Sequence, residues 1–105
     1  MRMWNVDTKL LCRQHLLGEH NEVHAFVGTI NKGISIKGYI NNGLVDVYGI
    51  RFRHLQLERE MIRRGYKHNS PLPKFDAKQF SYPGIVDVEA NLVELKKRCQ
   101  HCLIK

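Results

Sequence analysis

Residues 8–30 read TKLLCRQHLLGEHNEVHAFVGTI, and the direction in which each of these side chains points decides the fold. At about 100° of rotation per residue, Cys12, Leu16, Val23, Val27 and Ile30 fall on one stripe, with Phe26 at its edge. This period predicts a long first helix from about Thr8 to Ile30, with Asp7 as its N-cap. His20 and His24 lie within roughly 40° of each other on the side away from the stripe, and Glu22 projects about 160° from both. Residues 20–24 therefore read H-x-E-x-H, whereas the zinc-helix motif H-E-x-x-H sets its glutamate directly after the first histidine. The expectation is a pair of outward-facing histidines and no metal. Glu22 shares its face with His15, Gly18, Glu19 and Phe26. That face borders the apolar stripe, so Glu19 and Glu22 are expected to be partly buried, a setting that suits a carboxylate to proton handling. Gly18 costs about 1 kcal/mol relative to alanine inside a helix, and beside a carboxylate it points to close approach by another molecule. An ordinary salt-bridged glutamate is the plainer alternative.

Two further segments carry helical patterning. One runs from about Ile50 to Arg64 and stops at Gly65; Leu55 and Ile62, with Met61 beside them, mark its expected buried side. The other runs from about Val86 to Cys102. Between the first two helices, NKGISIKGYINNGLVDVYG is rich in glycine. A loop with a short helical turn is expected there, although Asn42-Gly43 also fits a hairpin turn. Between the second and third helices, three prolines forbid a long helix. Tyr66, Phe75, Phe80 and Tyr82 are expected to pin that loop to the helices. Nothing divides the chain, and 105 residues suffice for one core. The reading is all-α: one compact domain, residues 1–105, of three main helices joined by long ordered loops.

The formal net charge is +7 and the sequence pI 9.6, which points to a polyanionic partner, nucleic acid first. Mean hydropathy is −0.39, and no apolar run approaches the roughly 20 residues of a membrane span. The N-terminus lacks the apolar segment of a signal peptide, and the odd count of three cysteines argues against a disulfide framework. These features point to a cytoplasmic protein without membrane attachment. Cys99 and Cys102 form a single C-x-x-C with no second pair, and His101 is too close in sequence to serve easily as a third ligand. A reduced thiol pair is the expectation.

MRMWNV at residues 1–6 and RQHLLGEHNEV at residues 13–23, taken together, resemble the pyrimidine-dimer DNA glycosylases of the endonuclease V type, first known from phage. That family carries a Q-H-L-x-x-E-x-x-E run early in its first helix, here Gln14, His15, Leu16, Glu19 and Glu22, and a basic residue beside the N-terminal one, here Arg2. RHLQLEREMIRRGY at 53–66 is similar to the family's second helix, and VEANLVELKKR at 88–98 is a weaker match to the third. The resemblance covers about half the chain.

What it implies is an all-helical glycosylase and abasic-site lyase, acting as a monomer on duplex damaged DNA in the cytoplasm of a bacterial or phage-infected host. The implied nucleophile is the N-terminal α-amine, the implied catalytic carboxylate is Glu22, and no metal or other cofactor is required. Arg2 is bulky, so the initiator methionine is expected to be retained, with Met1 supplying the amine. An α-amine of pKa about 7.7–8.0 is far more often neutral at pH 7 than a lysine at about 10.4. Arg2 lowers it further as a like charge. Arg2, Gln14 and His15 are expected at the pocket. Asn21 and Ala25 stand where the family has phosphate-gripping arginines, and the family's aromatic C-terminal tail is missing. Arg51, Arg53, His54, Arg59, Arg63, Arg64 and Lys67 are expected along a phosphate-binding groove, joined by Lys96, Lys97 and Arg98. Trp4 fits either base stacking or the core. The alternatives are the same chemistry on another damaged base or an abasic site, a catalytically silent DNA-binding module, and, more remotely, a helical zinc enzyme.

Overall fold

A computed structural model describes residues 1–68 and 70–103. Four helices appear in the order α1 (Arg13–Asn31), α2 (Lys37–Asn41), α3 (Ile50–Arg63) and α4 (Val88–Arg98), with no strand among the described residues. α1 buries Leu16, Val23, Phe26, Val27 and Ile30, the stripe its period predicts, and packs along α3. α2 is the short helical turn expected in the glycine-rich loop; the hairpin alternative at Asn42-Gly43 does not form. The radius of gyration is 13.5 Å, close to the roughly 13 Å of a single compact domain of about 100 residues.

The first helix begins later than its period predicts. Asp7 accepts a hydrogen bond from the Lys9 amide and starts a 3-10 turn, Thr8–Leu10, instead of α1. Leu11 and Cys12 then become extended, which carries Leu11 fully into the core and makes Cys12 the N-cap of α1. The fourth helix is shorter at both ends than the expected 86–102. Asp87 caps the Ala90 amide, and the chain turns extended at Cys99. α3 matches its expected bounds. Gly65, at φ +84°, supplies the left-handed residue that closes it, with the Tyr66 amide reaching back to the Met61 carbonyl.

The buried face of α3 differs from the one its apolar residues indicate. Leu55 is 39% and Ile62 58% exposed; the core side is Ile50, Arg53, His54, Leu57, Glu60 and Met61. These follow a helical period, but half of them are polar. They are tolerated because each has a partner contributed by another residue of the fold. The loop aromatics behave as expected for Tyr66, Phe75 and Phe80, which pack against the core, whereas Tyr82 is 52% exposed.

The N-terminal segment is threaded into the body. Met3 and Val6 are fully buried and Trp4 nearly so, which settles Trp4 as a core residue. The Met3 amide donates to the Leu44 carbonyl at 2.7 Å. Asn91, buried on α4, donates to the Met3 and Trp4 carbonyls at 3.3 and 2.9 Å. Asn5 at φ 54° takes the left-handed conformation that asparagine tolerates, between Trp4 and Val6, both buried.

Candidate active site

Because residues 3–6 are fixed, Met1 and Arg2 are held at the wall of a cavity of about 460 Å³. α1 supplies the opposite wall: Gln14, His15, Gly18, Glu19 and Glu22 all line it. These residues recur at the three- and four-residue spacing that keeps side chains on one helix face. A Cβ placed at Gly18 would meet nothing within 4 Å, so this glycine leaves open space at the wall. Trp4, Leu44 and Arg98 complete the lining. Trp4 carries the Arg2 guanidinium 4.6 Å and the Arg98 guanidinium 5.8 Å from its ring centroid, and the His15 ring packs edge-on against it. Arg2 also donates to Asn91 Oδ1 at 3.2 Å.

The two glutamates of the run have separate environments. Glu19 is buried and receives two hydrogen bonds from Arg53, Nε at 2.6 Å and Nη2 at 2.8 Å. Arg53 also donates to the Val6 carbonyl and to Gln56. Glu22 is half-buried and makes no ion pair among the described residues. One carboxylate is locked into the fold, and the other lines the cavity with no ion-pair partner among the described residues.

The profile of the family described as pyrimidine dimer DNA glycosylase matches residues 1–74. The chain belongs to this family. Comparison with curated proteins and with solved structures found no match. The match spans the N-terminal segment, the Q-H-L-x-x-E-x-x-E run and α3; α4, with Asn91 and Arg98, lies beyond it. A pyrimidine dimer glycosylase acts on DNA, and the basic residues of this chain differ in what holds them.

Arg51, Arg59, Arg63, Lys67, Lys96, Lys97 and Arg98 are exposed, as is Asn21. Four residues expected along the groove are already held within the fold; Arg63, although exposed, donates twice to Glu60. Arg53 is the buried partner of Glu19. Arg64 is tied to Glu60 at 2.6 Å and to the Thr8 and Leu11 carbonyls. His54 is buried within a group of histidines. The arginines of α3 do not line the Met1–Glu22 cavity; Arg2 and Arg98 do. The signal for Arg53 was present in the sequence as the Ile50–Arg53–Leu57 spacing, which puts the arginine on the buried face. Asn91 and Leu44 carried no signal, because their role depends on backbone groups far away in the chain.

His20 and His24 also differ from expectation. His20 is buried rather than outward, and its Nε2 lies 2.8 Å from His68 Nε2. His24 Nε2 lies 3.1 Å from His54 Nε2. Burial and then the neighbouring imidazoles push His20 down to about 4, so it is neutral at pH 7. A second group lies where α1 begins: Cys12, His15, Cys99 and Cys102. Both groups have ligand atoms within 4.8 Å of one another.

Proposed function

We propose that this protein is a DNA repair glycosylase that breaks one glycosidic bond of a pyrimidine dimer in duplex DNA and cuts the strand at the resulting abasic site. The observation that carries the reading is that Met1 and Glu22, distant in sequence, line the same cavity. With Met1 as the N-terminal residue, its α-amine attacks C1′ of the damaged nucleotide and the glycosidic bond breaks, its electron pair leaving with the base. Loss of a proton from the amine and opening of the sugar give a Schiff base. Removal of a C2′ proton then expels the 3′ phosphate by β-elimination, and water hydrolyses the imine to restore the amine. The Glu22 carboxylate stabilises positive charge developing at the sugar and carries the protons. Arg2, at the same wall as Met1, and Arg98 attract the flanking phosphates. The duplex must be unstacked for C1′ to reach the cavity, and a damaged step unstacks at lower cost.

Borohydride trapping on ultraviolet-irradiated duplex DNA, followed by mass mapping of untagged protein, tests this directly. The expected result is one covalent adduct on the N-terminal amine, with intact mass establishing which residue carries it. Glu22→Gln is expected to lower strand cleavage by at least 100-fold, within the usual range for a general acid–base, with DNA binding retained. Absence of an adduct on both irradiated and abasic duplexes refutes the glycosylase–lyase reading; normal cleavage by Glu22→Gln refutes the role given to that carboxylate.

A further inference from the structure

We propose that Cys12, His15, Cys99 and Cys102 form a structural zinc site that fastens the segment after α4 to the start of α1. The sequence supplies the ligands as two short pairs, C-x-x-H at 12–15 and C-x-x-C at 99–102. Neither pair is a site alone; the fold brings them together, Cys12 meeting Cys99 and His15 meeting Cys102 across 87 residues each. Cys12 Sγ lies 3.2 Å from His15 Nδ1 and 3.8 Å from Cys99 Sγ, and Cys102 Sγ lies 3.5 Å from His15 Nδ1. A tetrahedral zinc with Zn–S about 2.3 Å and Zn–N about 2.0–2.1 Å sets S···S edges near 3.8 Å and S···N edges near 3.5 Å. The observed spacings fall close to these values.

Backbone amides supply the outer support that thiolates need. The Cys12 amide donates to Cys102 Sγ at 3.1 Å and the His101 amide to Cys99 Sγ at 3.4 Å. The Leu103 amide to the Leu10 carbonyl, at 2.8 Å, closes the same junction. Three sulfurs cannot all pair as disulfides; two lie within 3.5 Å of one imidazole nitrogen and the third ligand atom is within 4.8 Å of the rest, a spacing that one metal ion spans. Binding releases the three thiol protons and leaves four protein ligands with no open position, so the ion is structural. Its consequence for the cavity is orientation: His15 lines that cavity and packs on Trp4.

The histidine group carries a second site by separate geometry. His20 and His24 on α1, His54 on α3 and His68 beyond it all turn Nε2 inward, at 2.8 and 3.1 Å across the two pairs. Behind two of them stands one carboxylate: Glu58 lies 3.8 Å from His54 Nδ1 and 3.7 Å from His68 Nδ1. A carboxylate behind a ligating imidazole is the usual support for a first-row metal on histidine. We infer that this group takes a second divalent cation, zinc again being the probe.

Untagged protein, purified reduced, is assayed for metal and then, as apo-protein, titrated with Co(II). About two equivalents of zinc per chain are expected, and a thiolate-to-cobalt charge-transfer band. Cys99→Ser/Cys102→Ser is expected to lose the band and one equivalent. His24→Gln/His68→Gln is expected to keep the band and lose the other. A wild-type chain with no charge-transfer band on cobalt titration overturns the thiolate site whatever the variants do. A wild-type metal content no higher than that of the histidine variant overturns the histidine site.

Discussion

Replacing Arg53 by methionine strands the Glu19 carboxylate, whose side chain is 0% exposed, without its cation. Breaking a buried pair from one side costs about 3–5 kcal/mol, so Arg53→Met is expected to lower the urea midpoint sharply. An arginine serving only as a phosphate contact would leave that midpoint nearly unchanged. Gly18 offers the opposite case. A methyl group there meets nothing within 4 Å, and alanine is better by about 1 kcal/mol inside a helix. Gly18→Ala is therefore expected to raise the melting temperature while slowing strand cleavage, because the added methyl intrudes at the wall shared with Glu22. Thermal melting and cleavage of irradiated duplex, measured on the same preparation, check both halves. The run Gln14–Glu22 thus contains a residue kept for the fold and another kept at some loss to it.

At the scale of elements, α4 acts through a single carboxamide. Asn91→Ala removes the donors to the Met3 and Trp4 carbonyls and the acceptor for Arg2. Unsatisfied buried groups cost about 1–3 kcal/mol, and Met1 loses its register beside Glu22. The expected outcome is a larger fall in kcat than in DNA affinity, read by single-turnover cleavage against filter binding. This dependence was not legible in the sequence, since α4 lies outside the matched residues 1–74. α1 was legible because its buried side is apolar and periodic: Leu16, Val23, Val27 and Ile30 state it directly. α3 was misread because Arg53 and His54 are buried by virtue of partners on α1 and Glu60 by its own Arg63 and Arg64, while Leu55 and Ile62 face solvent. The meeting of Met1 with Glu22 came from resemblance to a family rather than from spacing. The outward reading of His20 failed for a similar reason: His54 and His68 cover a face that one helix, taken alone, leaves open.

For the whole molecule, the end of α3 is a fastening point. Glu60 accepts from Arg63 and Arg64, and Arg64 reaches the Thr8 and Leu11 carbonyls. Hydrogen bonds from Arg63, then from Arg64, hold Glu60 down at about 2 against the opposing effect of burial, below its ordinary 4.5. A depressed carboxylate contributes stability that is whole above its unfolded value and is lost as pH falls through the folded one. Glu60 is therefore expected to cost the native state stability between about pH 4.5 and 2, and Glu60→Gln to flatten that part of the acid denaturation curve. The clamp of Asn91 on the N-terminal segment has a different kind of consequence, in time. The residues it joins are 87 and 88 positions apart. Closing a loop of that length costs about 4 kcal/mol of chain entropy beyond a constant term. During synthesis residues 1–6 emerge long before residue 91 does, so this segment stays open to the cell's processing enzymes until the body of the protein closes around it. On the proposed mechanism, the group that attacks the sugar is therefore fixed before the cavity that would use it exists.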